Sequence, residues 1–439
     1  MRKLFLILLV VFATCLLASA FRIPVTTGEV DVPVVLKMSE LLEMVPEDFD
    51  ANWQGIRVAF DGLYVPFQIE DADDNNRISA GDYLVFLAKG NGEIIIPEED
   101  IESVKFEPFF VLEKADGNWK ITAKDNLLSL SVNDHGLAQV TMFNGVEATL
   151  LDEIGIARVS GWPESTYWID GKLGNHYEET SGSFDVVSMK VLEPGPVAVG
   201  IVAHLKSSKF NGLNQLLTVH IFKNGDILVD NLFHFETYAD MMKLQSMVTR
   251  PMAVAFDDAL HILPVFRRLV WADQMNITPL EYWLQRDAIK YVNEKPYIVF
   301  PATSNMKPLW WGATYIFASM ESWRSNYSPS AKIGVAQILP EVPVVPADYE
   351  KWLNGDTWVY ESLEFRDGVF KWMPGEFEAY KSTQGVYSMK VEDMPNHYKF
   401  GDEVRHIRLY SFYSADDVTS AVEQIERKGE SFRSLRIGE

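Results

Sequence analysis

Leu217-Thr218-Val219-His220-Ile221-Phe222-Lys223-Asn224-Gly225-Asp226-Ile227-Leu228-Val229 is the stretch on which the fold turns. Apolar residues recur at every second position on both sides of Asn224-Gly225, which is the period of a strand with one buried face. Asn-Gly is the commonest tight hairpin turn, because both central residues tolerate positive φ. A two-residue turn pairs Lys223 with Asp226 and therefore His220 with Val229. It sets His234 opposite Gln215 and sends His220 and His234 to opposite faces.

The same pattern appears twice more. Ile56, Val58 and Phe60 alternate before Asp61-Gly62, and Leu63, Val65, Phe67 and Ile69 alternate after it. Val140 and Met142 precede Asn144-Gly145, and Val146 and Ala148 follow. Helical signals are few: Ser39–Val45, Thr278–Gln285 with Pro279 in its first turn, and a stretch near the C-terminus. In that last stretch Ser414 can cap, Asp417 follows three residues on, and Val418, Val422 and Ile425 form an apolar stripe that Gly429 closes. The fold class is therefore mostly β with few short helices. Lys114-Ala115-Asp116-Gly117-Asn118 reads as a polar boundary, which divides the chain into a leader (1–20), a small β domain (21–118) and a large antiparallel β-sandwich with a C-terminal helix (119–439).

The leader reading rests on Arg2 and Lys3, the apolar run Leu4–Leu17 and the small residues Ala18-Ser19-Ala20. This is the layout of a secretory signal peptide, shorter than a membrane anchor. An uncleaved anchor is the alternative, as is acylation at Cys15, although Phe12-Ala13-Thr14 fits a lipid-attachment box poorly. Export to the periplasm or beyond follows, and no later stretch is apolar enough to span a bilayer. Cys15 is the sole cysteine and leaves with the leader, so core packing alone must stabilise the mature chain of about 420 residues. The formal charge of −23 becomes −25 without Arg2 and Lys3 (−23 − 2), a surface that repels nucleic acid and draws divalent cations.

Asp71-Ala72-Asp73-Asp74-Asn75-Asn76-Arg77-Ile78-Ser79-Ala80-Gly81-Asp82 reads as a structural Ca²⁺ loop. A hard cation takes six to eight oxygens, and a loop of the EF-hand kind supplies them from positions 1, 3, 5, 7, 9 and 12. Here these are Asp71, Asp73, Asn75, the Arg77 carbonyl, Ser79 and Asp82, with Ile78 as the apolar anchor. Asn76 stands where such loops carry Gly, and Asp82 where they carry the longer Glu. Strand patterns flank it, so the loop staples a β connection; a solvated acidic turn is the alternative.

Two clusters are candidates for chemistry. Asp230, His234 and Glu236 share a face of the second hairpin strand, and an imidazole beside carboxylates can do acid–base work. A polar patch among core residues is the competing reading. The second cluster, Gly161 to Asp170 with His176-Tyr177-Glu178-Glu179, is an aromatic, Gly-containing loop. Trp162, Tyr167 and Trp168 are candidate platforms for sugar rings, with Trp310, Trp311 and Trp323 as further ones, and His176 and Tyr177 join the catalytic candidates. The alternative is that these rings cover the ends of the sandwich. The chain holds no Gly-rich phosphate loop, no GxSxG elbow, no HExxH and no paired-Cys pattern.

Asp61-Gly62-Leu63-Tyr64-Val65-Pro66-Phe67-Gln68, the Asp-rich loop and Tyr83–Leu87 together resemble the small β domain that opens exported bacterial proteins linked to polysaccharide use. Leu128–Val140 and the Val191–Val197 stretch are similar to the opening of a galactose-mutarotase-like supersandwich. The resemblance covers most of residues 55–240 and implies a sandwich that binds carbohydrate on its concave face. It carries over no catalytic residue, and the α/α toroid that accompanies many lyases of this kind is not visible. The leading expectation is an exported carbohydrate-active or carbohydrate-binding protein, with lyase and hydrolase types both open. A non-catalytic cell-envelope protein comes second, and a small-molecule epimerase using Asp230, His234 and Glu236 third.

Overall fold

The computed structural model describes residues 20–439 except 76, 99–105, 162–167, 170–171, 174–176, 211, 238, 241–242, 253–255, 265–288, 303–321, 342–357, 361–362, 367–368, 373–374, 378–396 and 399. Residues 1–19 of the leader and the Thr278–Gln285 stretch thus lie outside the described residues. The chain is mostly β, built from antiparallel sheets, with two α-helices among the described residues. It divides into two compact units: 1–110 with 192–199 and 430–439, and 111–191 with 200–429. The Asp116-Gly117 stretch is a hairpin turn. Both residues take positive φ (52° and 83°) and join Phe110–Ala115 to Asn118–Ala123, neighbours in one sheet.

In the smaller unit a five-stranded sheet runs in the order Arg436–Ile437, Ala20–Thr26, Asn91–Pro97, Arg57–Phe60, Leu63–Tyr64. A three-stranded sheet is formed by Val32–Lys37, Tyr83–Ala88 and Phe67–Glu70. Asp61-Gly62 is the expected two-residue turn, with Phe60 paired to Leu63 and both turn residues at positive φ. The expected run from Leu63 to Ile69 is not one strand, however. Leu63–Tyr64 stays with Arg57–Phe60, while Phe67–Glu70 pairs with Tyr83–Ala88 in the other sheet. Pro66 lies at the break; it has no N–H to give to a ladder. Val25, Val34, Leu41, Ile56, Val58, Phe86 and Ile94 fill the core of this unit. Gln68 ties residues 192–199 into it: its amide oxygen accepts from Ala198 N–H at 3.0 Å and its Nε2 donates to the Ala198 carbonyl at 3.0 Å.

The larger unit stacks a six-stranded sheet on a ten-stranded one. Phe143 meets Phe412 with ring centroids 5.3 Å apart, and a Cβ on Gly155 would lie 2.6 Å from Leu217. Such close approach leaves Gly the residue that fits, all the more at its φ of +91°. The ten strands run in the order Asp185–Val191, Ala198–Lys206, Leu213–Phe222, Asp226–Phe235, Glu403–Ser414, Ile333–Ile338, Trp323–Ser328, Leu260–Pro264, Lys295–Pro301, Ile289–Val292. Leu128–Val132 pairs with Ala138–Phe143, and the Asn144-Gly145 turn joins Phe143 to Val146 as expected.

The central hairpin departs from its expected register by one residue. His220 pairs with Leu228 and Ile221 with Ile227, so the loop has three residues, Lys223-Asn224-Gly225. Only Gly225 is left-handed (φ +86°), the arrangement of a type I turn closed by a glycine bulge. The Asn224 side chain accepts from Asp226 N–H at 3.2 Å and so favours that turn over the mirror-image one. Two corrections follow: His234 lies opposite Asn214, and His220 and His234 share a face.

The C-terminal helix spans Val418–Arg433. Its cap is Asp417 rather than Ser414: the carboxylate accepts from Ser420 N–H at 2.8 Å, and Asp417 N–H donates back to Ser420 Oγ at 3.1 Å. Donation from the Ser420 amide and hydroxyl holds the Asp417 carboxyl below its ordinary range. The helix also continues past Gly429, because Ser431 and Phe432 are buried and extend its packed face. It covers one face of the ten-stranded sheet, where the Glu426 carboxylate accepts from Trp323 Nε1 and Tyr297 O–H, each at 3.0 Å. Lys428 reaches Asp226 at 2.8 Å; this fully buried carboxylate also accepts from Ser411 Oγ at 2.6 Å and Asn224 Nδ2 at 2.8 Å.

Replacing one partner of such a pair leaves a charge without its counter-ion in low dielectric. Lys428→Met is expected to cost about 3–5 kcal/mol, read as a fall in urea stability, and Asp226→Leu added to it recovers part of the loss.

Candidate functional site

The acidic loop is bounded by Glu70 and Tyr83, which pair with each other, so residues 71–82 form a closed hairpin connection. One carboxylate oxygen from each of Asp71, Asp73 and Asp82 falls in a group no more than 4.8 Å across. Two oxygens on opposite sides of a Ca²⁺ ion lie roughly 5 Å apart, so the group has the span such an ion requires. Three carboxylates this close repel one another unless a cation joins them. Asp82 is fully buried and accepts from Ala72 N–H at 3.0 Å and Ser79 N–H at 2.7 Å. Asn75 Oδ1 accepts from Arg77 N–H at 2.7 Å, and Ser79 Oγ donates to Asp73 Oδ2 at 2.8 Å. Asp74 at position four is left-handed (φ +59°), while Asn76 at position six lies outside the described residues. The loop is docked on the short helix Met38–Met44, whose first amides donate to Asp82 and Ala80 carbonyls at 2.9 and 3.2 Å.

The acid–base candidates sit on the solvent-facing side of the ten-stranded sheet, each held by its own partner. Arg405 clamps Asp230 with Nε at 2.9 Å and Nη2 at 2.5 Å. His234 Nδ1 lies 3.3 Å from Glu403, with 33% of its side chain exposed. Glu236 pairs with Lys206 at 3.3 Å, which lowers its carboxyl below the ordinary range. Surface pairs of this kind contribute little individually.

Of the aromatic cluster, Trp162, Tyr167, His176, Trp310 and Trp311 lie outside the described residues. Trp168 belongs to the strand Trp168–Ile169 and Tyr177 to Tyr177–Thr180. Glu179, in the same strand as Tyr177, is a structural clamp: it accepts from Ser207 Oγ at 2.5 Å, Ser208 Oγ at 2.6 Å and Lys209 N–H at 3.1 Å. Trp323 cannot stack on a sugar, since it is wholly buried against Tyr297 with centroids 5.9 Å apart.

The other face of the ten-stranded sheet, towards the six-stranded sheet, carries a polar row that strand periodicity did not single out. In the observed register Asn231 stands opposite His406, Tyr410 opposite Gln337, Gln337 opposite Arg324, and Asn326 opposite His261. Gln215 and Arg408 lie on the same face by alternation. None of these side chains is more than 5% exposed. Gln215 Nε2 donates to Asn231 Oδ1 at 3.0 Å, Arg324 Nε to Gln337 Oε1 at 2.8 Å, and Gln337 Nε2 to Tyr410 Oη at 2.9 Å. His261 Nδ1 lies 2.8 Å from Asn326 Oδ1. Three atoms of the row, Gln215 Oε1, Asn326 Nδ2 and His406 Nδ1, have no hydrogen-bond partner among the described residues. Burial, reinforced by the neighbouring Arg408 cation, pushes the His406 imidazole down to about 3; burial raises the Tyr410 phenol. The row is therefore a surface of neutral amide, imidazole and phenol groups flanked by two guanidiniums. The signal that could have found it is polar residues at core positions of strands, namely Gln215, Asn231, Gln337 and Asn326.

No family model matches the chain, and no curated relative matches it. Among solved structures it is similar to a putative aldose 1-epimerase from Klebsiella pneumoniae, at 10% identity and a TM-score of 0.38 over 74% of this chain and 90% of that one. It is also similar to a galactose mutarotase-like protein from Lactobacillus casei, at 12% identity and TM-score 0.33 over 69% of this chain and 100% of that one. A third is an alpha-N-acetylgalactosaminidase from Bifidobacterium bifidum, at 10% identity and TM-score 0.33 over 72% of this chain; the chain spans 38% of that enzyme's length. Structures of the galactose-mutarotase and aldose-epimerase kind, the family the sequence resembles, are thus among those to which the chain is similar. At this degree of likeness they carry no argument about chemistry.

The His406 shift makes stability depend on pH. An unfolded-state imidazole titrates near 6.5 and the folded one near 3, so below 6.5 the unfolded chain binds the extra proton. The contribution is whole above pH 6.5 and is lost as pH falls towards 3. His406→Gln is expected to flatten the decline in urea midpoint across that window.

Proposed function

We propose that this chain is an exported carbohydrate-binding protein, that its ligand is held against the buried polar row of the ten-stranded sheet, and that Ca²⁺ staples loop 71–82. The observation that carries the sugar reading is the set of orphaned polar atoms on the row, Gln215 Oε1, Asn326 Nδ2 and His406 Nδ1. A buried polar atom without a partner costs about 1–3 kcal/mol, and a hydroxyl-rich ligand offers donors and acceptors to all three. Amide and guanidinium groups match the paired hydroxyls of a sugar ring, and Tyr410 adds an aromatic edge among them. Among the described residues of these strands that face carries no Asp or Glu, so the proposal is one of binding. The trio Asp230, His234 and Glu236 is assigned no step. The aromatic residues Trp162, Tyr167, Trp168, Trp310 and Trp311 are proposed to add stacking surfaces.

Screening against a polysaccharide and oligosaccharide panel tests the reading. Asn326→Leu, which keeps the size and removes the amide, is expected to weaken binding of any ligand found at least about tenfold. His234→Ala on the outer face leaves binding unchanged. Loss of binding in His234→Ala alone would transfer the site to the outer face, and no binding to any glycan would favour the envelope-protein reading.

Calcium is read separately. At a Ca²⁺ concentration of 100 times its dissociation constant the folded state gains about 2.7 kcal/mol, seen as a rise in thermal midpoint that chelator reverses. Asp73→Ala abolishes the rise without lowering the midpoint in chelator. Export is tested by N-terminal sequencing of the released protein, which is expected to begin at Phe21.

A further inference from the structure

Arg436–Ile437 are built into the sheet that contains Ala20–Thr26. Arg436 pairs with Thr26 and Ile437 with Val25, which places Ala20–Thr26 between the final strand and Asn91–Pro97. Gly438 N–H donates to the Pro24 carbonyl at 2.9 Å. One turn of helix earlier, Ser431 is 3% exposed and sits in a cradle. Thr27 Oγ1 donates to its carbonyl at 2.6 Å across 404 residues of chain, and Val30 N–H donates to its Oγ at 3.2 Å. Gly28 completes the cradle, since a Cβ there would lie 2.3 Å from Ser431 Oγ. Gly28 does not need positive φ, so the reason for a glycine is this close approach.

We infer that residues 430–439 are a latch: the smaller unit reaches its closed state only when these residues have docked on Pro24–Thr27. The Pro24–Thr26 end of its first strand would otherwise be an open sheet edge. A chain emerges N-terminus first, and a unit that lacks its closing strand stays locally open while the rest is made. For a chain that must be kept unfolded before it is moved, such a delay is useful, but the inference stands on the contacts alone and does not depend on export or on sugar binding.

Hydrogen exchange on the full chain and two variants tests it. One variant ends at Leu435, which removes the final strand and keeps the helix; the other is Gly28→Val, which displaces Ser431 with the tail intact. In both, amides of Ala20–Thr26 and Arg57–Phe60 are expected to exchange at least about tenfold faster, while those of Leu213–Phe222 keep their protection. Unchanged exchange in Ala20–Thr26 would overturn the latch. So would an equal loss of protection in Leu213–Phe222, since the tail would then hold the whole molecule and not this unit.

Discussion

The register of the hairpin Leu213–Phe235 is the constraint on which the larger unit depends. Strand side chains alternate with a period of two, so a shift of one residue moves every side chain of one strand to the other face relative to its neighbour. Lys223-Asn224-Gly225 makes a three-residue loop, and this choice pairs odd-numbered positions with odd-numbered ones. Gln215 thereby joins Asn231, and through the next strand His406, on one buried face. Asp230 and His234 go together to the solvent side.

The two faces then follow different physics. On the outer face the ionisable groups are partly exposed and each stands beside its own partner: Asp230 beside Arg405, His234 beside Glu403 and Glu236 beside Lys206. On the inner face the dielectric is low, so the groups found there are neutral or carry a guanidinium charge, and His406 stays unprotonated. A chemical role attaches more naturally to the inner face, where hydrogen bonds are strong and an unmet one is costly.

The loop 71–82 presents the opposite situation. Its carboxylates are gathered, not separated, and what gathers them is local: Asp82 on two backbone amides, Asn75 on Arg77, Ser79 on Asp73. A short helix and two flanking strands fix its ends. The bonds among its own side chains and amides are short-range, and for that reason it could be read as a string of spaced oxygen ligands.

Everything governed by neighbours along the chain was legible in the sequence. That includes the β class, the Asp61-Gly62 and Asn144-Gly145 turns, and the convergence of Asp71, Asp73 and Asp82. Alternation and turn chemistry are short-range, and they survive whatever the tertiary fold does. The tertiary fold settled the hairpin register: two- and three-residue loops both suit Asn-Gly, and the one formed has Asn224 accepting from Asp226 N–H with Gly225 close to Phe143. It decided that Trp323 is core, that the helix runs past Gly429, and that residues 430–439 belong with the first strand. The polar row left only a scattered signal in the sequence, polar residues at core positions of separate strands, and its assembly came from the tertiary fold. Its members come from six strands, and pairing across a sheet joins positions that no spacing along the chain relates.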